Sequence, residues 1–135
     1  MVDDHPGYRA ALAAMLDQRA DLELVGEAED GPGAVEMIRN LCPDVAVVDL
    51  NLPGFGGLGV LEQLVRDSSQ TRVLILSGFS DTALIERALK AGAVGYLVKD
   101  AGGQAICQAI TAVSRGETVL DPALVTGRRG DRALP

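Results

Sequence analysis

Residues 43–53 read Pro43-Asp-Val-Ala-Val-Val-Asp-Leu-Asn-Leu-Pro53. The run from Val45 to Val48 is continuously apolar and ends at a carboxylate, which is typical of a parallel strand covered on both faces. Two further runs have the same character, Val73-Leu-Ile-Leu-Ser77 and Val94-Gly-Tyr-Leu-Val98. A fourth candidate strand, Leu22 to Ala28, alternates apolar residues with glutamates. Together the four runs predict a parallel sheet.

Apolar residues at helical spacing fill the gaps between these runs. The stripes are Tyr8, Leu12, Met15 and Leu16; Val35, Ile38 and Leu41; Leu58, Leu61, Leu64 and Val65; Ile85, Ala88 and Leu89; and Ile106, Ile110 and Val113. Asp30 and Ser80 stand where helices are expected to begin, and Gly92 and Gly116 where helices are expected to end. Strands that alternate with helices predict a doubly wound α/β domain, whose functional crevice lies at the carboxyl ends of the strands.

Composition restricts the function classes. The chain has 135 residues, 47% of them hydrophobic, and a net charge of −7, which suits one domain that repels nucleic-acid phosphates. No apolar run approaches the roughly 20 residues of a membrane helix. Asp3 and Asp4 stand where a signal peptide would carry Lys or Arg, so we expect no membrane span and a cytoplasmic location. The two distant cysteines, Cys42 and Cys107, favour reduced thiols over a disulfide.

Polar residues stand where the apolar runs stop. They are Asp3 and Asp4 near the N-terminus, then Asp49, Ser77 and Lys99. Each alone fits a solvated loop residue, but the ends of parallel strands share one rim, so we expect all five together. Clustered carboxylates repel unless a cation is near, and Mg²⁺ accepts carboxylate and phosphate oxygens. Since a carboxylate can attack phosphorus to give an acyl phosphate, the set predicts phosphoryl transfer to Asp49.

These motifs resemble the receiver domains of bacterial two-component response regulators. The residues that carry the resemblance are Val2-Asp-Asp-His-Pro6, Pro43 to Pro53, Gly56-Gly57, Leu76-Ser77 and Ala91-Gly-Ala-Val-Gly-Tyr-Leu-Val-Lys99. The resemblance covers about residues 2–120 and is strongest to the NarL/FixJ type, whose members carry a LuxR-type DNA-binding domain after the receiver. It implies a CheY-like, flavodoxin-like (βα)5 sheet with the strand order 2-1-3-4-5.

The resemblance also implies a role for each acidic residue. Asp49 would be the phosphoacceptor. Asp4 and Asp49 would bind Mg²⁺ directly, with Asp3 helping through a water molecule. Asn51, two residues past the phosphoacceptor, would offer its backbone carbonyl to the metal. The cofactor implied is therefore Mg²⁺, and the reaction needs no enzyme activity on a separate substrate.

Three further residues acquire switch roles from the same resemblance. Ser77 and Lys99 would contact the phosphoryl group, and Tyr96 matches the aromatic residue whose rotamer follows Ser77. The alternative for Tyr96 is a plain core aromatic. His5, the only histidine, is assigned to the Asp-His-Pro turn in preference to a metal site.

We assign residues 1–116 to the receiver and residues 117–135 to an extension or linker toward an output domain outside this chain. The implied partners are a sensor histidine kinase and a second copy of the chain, with DNA bound only through the output domain. Only Met1 and Val2 precede Asp3, fewer apolar residues than the resemblance implies. Either the numbered sequence omits preceding residues or the first strand is truncated, which would lower stability.

Three rival functions share part of this pattern. A stand-alone phospho-signalling module without DNA output shares every motif and stays open. A haloacid-dehalogenase-type phosphohydrolase also uses an aspartate nucleophile, but there the nucleophile precedes the acidic pair and an aspartate stands two residues after it. Here the acidic pair comes first and that later position is Asn51. A flavodoxin-like flavin binder would need a Ser/Thr-rich phosphate loop after the first strand, which the sequence lacks.

Overall fold

The computed structural model describes residues 1–78 and 82–120. Helices and strands alternate along most of the chain. The elements are α1 (Pro6–Asp17), α2 (Gly31–Leu41), β1 (Val45–Asp49), α3 (Gly56–Arg66), β2 (Arg72–Ser77), α4 (Thr82–Lys90), β3 (Gly95–Val98), a 3-10 turn at Lys99–Ala101, α5 (Gly103–Ser114) and β4 (Val119–Leu120). The predicted doubly wound α/β class is confirmed by this arrangement.

The four strands form one parallel sheet in the order β1-β2-β3-β4. Val2 extends the sheet beyond β1 through isolated parallel bridges to Val48 on one side and Ala28 on the other. The chain near the N-terminus therefore lies between residue 28 and β1, as the order 2-1-3-4-5 requires. The first strand is reduced to a single bridging residue, which agrees with the expectation of a truncated strand.

The sheet separates two apolar layers, because alternate residues of each strand point to opposite faces. On one face α2, α3 and α4 cover Val48, Ile75 and Tyr96. On the other face α1 and α5 cover Val47, Leu74 and Leu97. Each central strand is buried on both sides, which is why its sequence is continuously apolar. None of the helices in the described ranges is both long and apolar enough to cross a membrane.

The predicted strand from Leu22 to Ala28 does not form. Only Ala28 makes a bridge in this stretch, and the backbone of Met1 contacts Gly26 and Ala28 alone. A strand needs a partner along its length, and residues 22–25 form no bridge within the described part of the chain. They line instead a groove of about 470 Å³ between this segment and β1.

The capping predictions are confirmed where the structure describes them. The Asp30 carboxylate accepts a hydrogen bond of 2.6 Å from the N–H of Gly33 and so caps α2. Gly92 and Gly116 follow α4 and α5 with φ of 115° and 93°, in the left-handed region that favours glycine. The predicted cap Ser80 lies outside the described residues.

The apolar stripes were predicted to be buried, and this was wrong at their edges. Leu41 and Val65 are 47% and 61% exposed, whereas Ile38 and Leu64 beside them are buried.

In the predicted extension, Val119 and Leu120 pair with β3. The sheet thus continues past residue 116, while residues 121–135 lie outside the described part of the chain. The domain boundary itself stays a prediction.

Val2 holds this end of the sheet together, because its N–H donates to Val47 and its carbonyl accepts from Asp49. Its side chain is 2% exposed. We expect Val2→Ala to lower the free energy of unfolding by about 2 kcal/mol, because it removes buried methyl groups and leaves a cavity. Urea denaturation measures the change. Val25→Ala is the matched control, since Val25 is 49% exposed and should change stability by less than about 0.5 kcal/mol. Equal effects of the two substitutions would contradict this role of Val2.

Candidate functional site

The carboxyl ends of the strands bring together the polar residues that the sequence singled out. Asp49 ends β1 and Ser77 ends β2. Lys99 directly follows β3, and Asp3 follows the bridging residue Val2. The register sets Leu76 opposite Asp49, so Ser77 lies one residue further along the same rim.

Lys99 is the centre of the cluster. Its Nζ lies 2.7 Å from Oδ2 of Asp3 and 3.0 Å from Oδ2 of Asp49. Both carboxylates are almost fully buried, at 2% and 3% exposure. A single ammonium therefore compensates two buried negative charges, and each of them would be costly to bury alone.

The two carboxyl groups respond differently to this arrangement. Burial raises the pKa of Asp49 above its ordinary value, and this outweighs the opposing effects of Lys99 and the Asn51 backbone. Burial also acts to raise the pKa of Asp3, but hydrogen bonds from Lys99 and His5 prevail and lower it. Burial acts to lower the pKa of Lys99, yet the two carboxylates raise it. The site thus favours a charged Lys99 and an ionised Asp3.

The turn after Asp3 fixes the acidic pair. The backbone N–H of His5 donates to Oδ1 of Asp3 at 2.7 Å, and the His5 ring Nδ1 lies 3.0 Å from that oxygen and 3.1 Å from Oδ1 of Asp4. His5 thus serves the turn, as the sequence indicated, while its ring also joins the acidic cluster. The carboxylate of Asp49 is held by the loop after β1, because its Oδ1 accepts a hydrogen bond of 3.1 Å from the N–H of Asn51.

The donor set suits a hard divalent cation. One ligand atom each from Asp3, Asp4, His5 and Asp49 can be chosen so that all four lie within 4.8 Å of one another. Carboxylate oxygens are the ligands that Mg²⁺ prefers, whereas imidazole suits zinc or copper better. The three aspartates therefore fit Mg²⁺, and His5 is not needed as a ligand.

Gly57 fixes the loop behind Asp49. Its N–H donates to the carbonyl of Leu50 at 2.9 Å. A Cβ at this position would lie 2.6 Å from the carbonyl oxygen of Asp49, which is closer than real contacts allow. Only glycine lets α3 begin this close to the end of β1.

Two residues of α1, Tyr8 and Arg9, complete the site. Neither was predicted as a site residue, and Tyr8 was expected only in a core stripe. The Arg9 guanidinium donates to the carbonyl of Asp3 at 2.5 Å and lies 3.5 Å from Glu27. The Lys99 Nζ lies 4.6 Å from the centroid of the Tyr8 ring. Their position one turn after the acidic pair is the only signal that could have indicated these contacts.

Known proteins share the sequence and fold that form this site. Residues 1–111 match the family described as the response regulator receiver domain. This chain belongs to that family. A probable transcriptional regulatory protein NarL of Mycobacterium tuberculosis is 37% identical to the receiver over 98% of the chain and 63% of the relative. LiaR of Bacillus subtilis is 35% identical over the whole chain and 67% of the relative.

A solved structure supports the same assignment. A two-component response regulator of the LuxR family from Aurantimonas superposes with a TM-score of 0.92 at 31% identity, over 98% of this chain and 94% of that one. The chain is thus a receiver domain of the NarL/LuxR type, and receivers are signalling modules. It spans slightly less than two thirds of the length of the first of these relatives.

Tyr96 and Ser77, which the sequence analysis linked as a switch pair, are both fully buried in the receiver. Tyr96 stands in β3 beside Ile75 and packs in the core under α4. This position is equally that of a core aromatic, so the switch role stays a prediction.

The Lys99 ion pairs predict a pH-dependent stability of the receiver. In Lys99→Met, the effect of burial on Asp3 and Asp49 is opposed only by the hydrogen bonds of His5 and Asn51, so both carboxyl pKa values rise. We expect the free energy of unfolding at pH 7 to be about 2–3 kcal/mol lower than in the wild type. The deficit should shrink as the pH falls toward about 4, because the carboxyl groups are then protonated.

Thermal melts between pH 4 and 7 without divalent cations measure this effect. Lys90→Met is the matched control, because Lys90 is exposed on α4 and is the only other lysine. A Lys99→Met deficit that stays constant across this pH range would show that the ion pairs contribute no stability of their own.

Proposed function

We propose that the chain accepts a phosphoryl group on Asp49 from a phosphohistidine of a sensor histidine kinase. The observation that carries this proposal is the position of Asp49. It is the last residue of a central strand, lies 3.0 Å from Lys99 and belongs to a cluster of four residues whose ligand atoms lie within 4.8 Å. An aspartate placed between a cation and further carboxylates is suited to metal-assisted phosphoryl transfer.

The transfer follows from the residues around Asp49. A carboxylate oxygen of Asp49 forms a bond to phosphorus while the bond from phosphorus to the imidazole nitrogen breaks, and the released histidine keeps the electron pair and takes up a proton. Burial raises the pKa of Asp49, so a nearby cation is needed to favour the ionised carboxylate that attacks phosphorus. Lys99 is already within contact distance of the same carboxylate and neutralises charge that develops on the phosphoryl oxygens. Ser77, at the end of the next strand, donates a hydrogen bond to them.

Mg²⁺ is the cofactor that the site fits. Asp4 and Asp49 would hold it directly and Asp3 through water, with the backbone carbonyl of Asn51 as a further ligand. The ion would neutralise the phosphoryl oxygens that Lys99 does not reach. The two roles are complementary, because Lys99 already occupies Oδ2 of Asp3 and of Asp49.

The output is a change of conformation. The added charge would draw Ser77 and Lys99 inward, and Tyr96 would turn into the space behind Ser77. In the longer protein this change would control a LuxR-type DNA-binding domain in the cytoplasm through homodimerisation. The similarity to regulators named as transcriptional supports this reading. A stand-alone signalling module remains the alternative; a dehalogenase-type hydrolase is disfavoured by the family match.

Phosphorylation gives a direct test of the acceptor. With acetyl phosphate and Mg²⁺, the intact mass should increase by one phosphoryl group. Asp49→Asn should abolish the increase, because an amide is a poor nucleophile. Asp44→Asn is the matched control: Asp44 is exposed at the other end of the same strand region and should leave labelling intact. Labelling that persists in Asp49→Asn would place the acceptor elsewhere.

Dimerisation is tested separately. The exposed face of α4 carries Glu86, Arg87 and Lys90, so a two-fold pairing through this face can join unlike charges. Pairing through α5, the next helix along the chain, is the alternative. Beryllofluoride, a mimic of the phosphoryl group, should shift the chain from monomer toward dimer in sedimentation velocity. The shift should be absent in Asp49→Asn. A monomer under both conditions, well above micromolar concentration, would contradict the dimer mechanism.

A further inference from the structure

The surroundings of Lys99 contain one group that the phosphoryl-transfer mechanism leaves unused. Besides the two carboxylates, the ammonium meets the face of Tyr8, with Nζ 4.6 Å from the ring centroid. This distance is within the range of a cation–π interaction. The Lys99 side chain is only 18% exposed, so the ring replaces water that would otherwise surround one side of the ammonium.

The ring is held rigidly in this place. Tyr8 lies in the first turn of α1, and α1 is tied to the acidic pair by the hydrogen bond from Arg9 to the carbonyl of Asp3. The ring also packs against the cluster that contains Leu12, Leu97 and Ile106. Lys99 directly follows β3, so the ring and the ammonium come from elements that are packed together through this cluster.

The hydroxyl group of Tyr8 contributes nothing comparable. It is buried and has no hydrogen-bond partner within the described residues. A buried hydroxyl without a partner is destabilising. What Tyr8 offers to the site is therefore its aromatic face.

We propose that Tyr8 is a positioning residue for Lys99, holding the ammonium on the side that faces Asp3 and Asp49. The inference rests on the proposed phosphoryl transfer and adds to it. A lysine side chain has four rotatable bonds, so its ammonium would otherwise sample many positions. The contact with the ring restricts these positions, so the ammonium is already in place when the phosphoryl group arrives.

Three variants test this role. Tyr8→Leu keeps apolar bulk but removes the aromatic face, and we expect it to slow phosphorylation by acetyl phosphate about three- to tenfold. Tyr8→Phe keeps the face and loses only the unpaired hydroxyl, so it should rescue the rate without lowering the melting temperature. In a Lys99→Met background, Tyr8→Leu should cause no further slowing, because the group that it positions is gone.

Proton NMR reports the contact independently of the reaction. The ε-methylene protons of Lys99 should be shifted upfield by the ring current in the wild type and in Tyr8→Phe, and should lose this shift in Tyr8→Leu. Lys90, the only other lysine, provides the unshifted reference.

Each contrary result has a distinct meaning. A folded Tyr8→Leu with the wild-type rate, or slowing that persists in the Lys99→Met background, would overturn the positioning role. A Tyr8→Phe as slow as Tyr8→Leu would transfer the effect to the hydroxyl and likewise overturn it. A wild-type chain that takes up no phosphoryl group would refute the proposed function instead; the Lys99 proton shift then decides the Tyr8 proposal alone, and its absence overturns it.

Discussion

One ammonium shared between two buried carboxylates is the constraint on which this structure depends. Asp3 and Asp49 come from neighbouring positions of the sheet, and burying both as anions without Lys99 would be costly. The sheet must therefore place β3 near enough for Lys99, the residue after it, to reach past β2 to Asp49. The parallel order of β1, β2 and β3 meets this condition. The order of the strands thus also determines whether the two buried carboxylates are neutralised.

Val2 connects that site to the core. Its backbone joins residue 28 to β1 through parallel bridges, and the next residue, Asp3, enters the site directly. The position of one carboxylate thus depends on hydrogen bonds made by a very short segment. Gly57 has a similar effect at the same, carboxyl end of β1, where any side chain would clash with the carbonyl oxygen of Asp49. Precision at the rim comes from backbone contacts more than from side-chain packing.

The central strands and their terminal polar residues were predictable from sequence. A continuous apolar run such as Val45 to Val48 is buried wherever it lies, and the residue that ends it must reach the rim. The segment from Leu22 to Ala28 was not predictable, because a strand exists only beside a partner and the alternation of its residues says nothing about that partner. The approach of Tyr8 to Lys99 was equally hidden. It depends on the rotation of α1 and on the path of a long side chain, neither of which apolar spacing determines.

The short strand β4 gives the sheet a mechanical property. Its pairing sets Leu120 beside Tyr96 and Val119 beside Gly95, so the last two described residues are tied to β3 by a backbone ladder. A ladder transmits displacement stiffly, whereas a loose loop absorbs it. A backbone shift at Tyr96 is therefore passed laterally by a single strand-to-strand step to Leu120. At this edge the sheet couples the backbone around the buried Tyr96 directly to the last described residues of the chain.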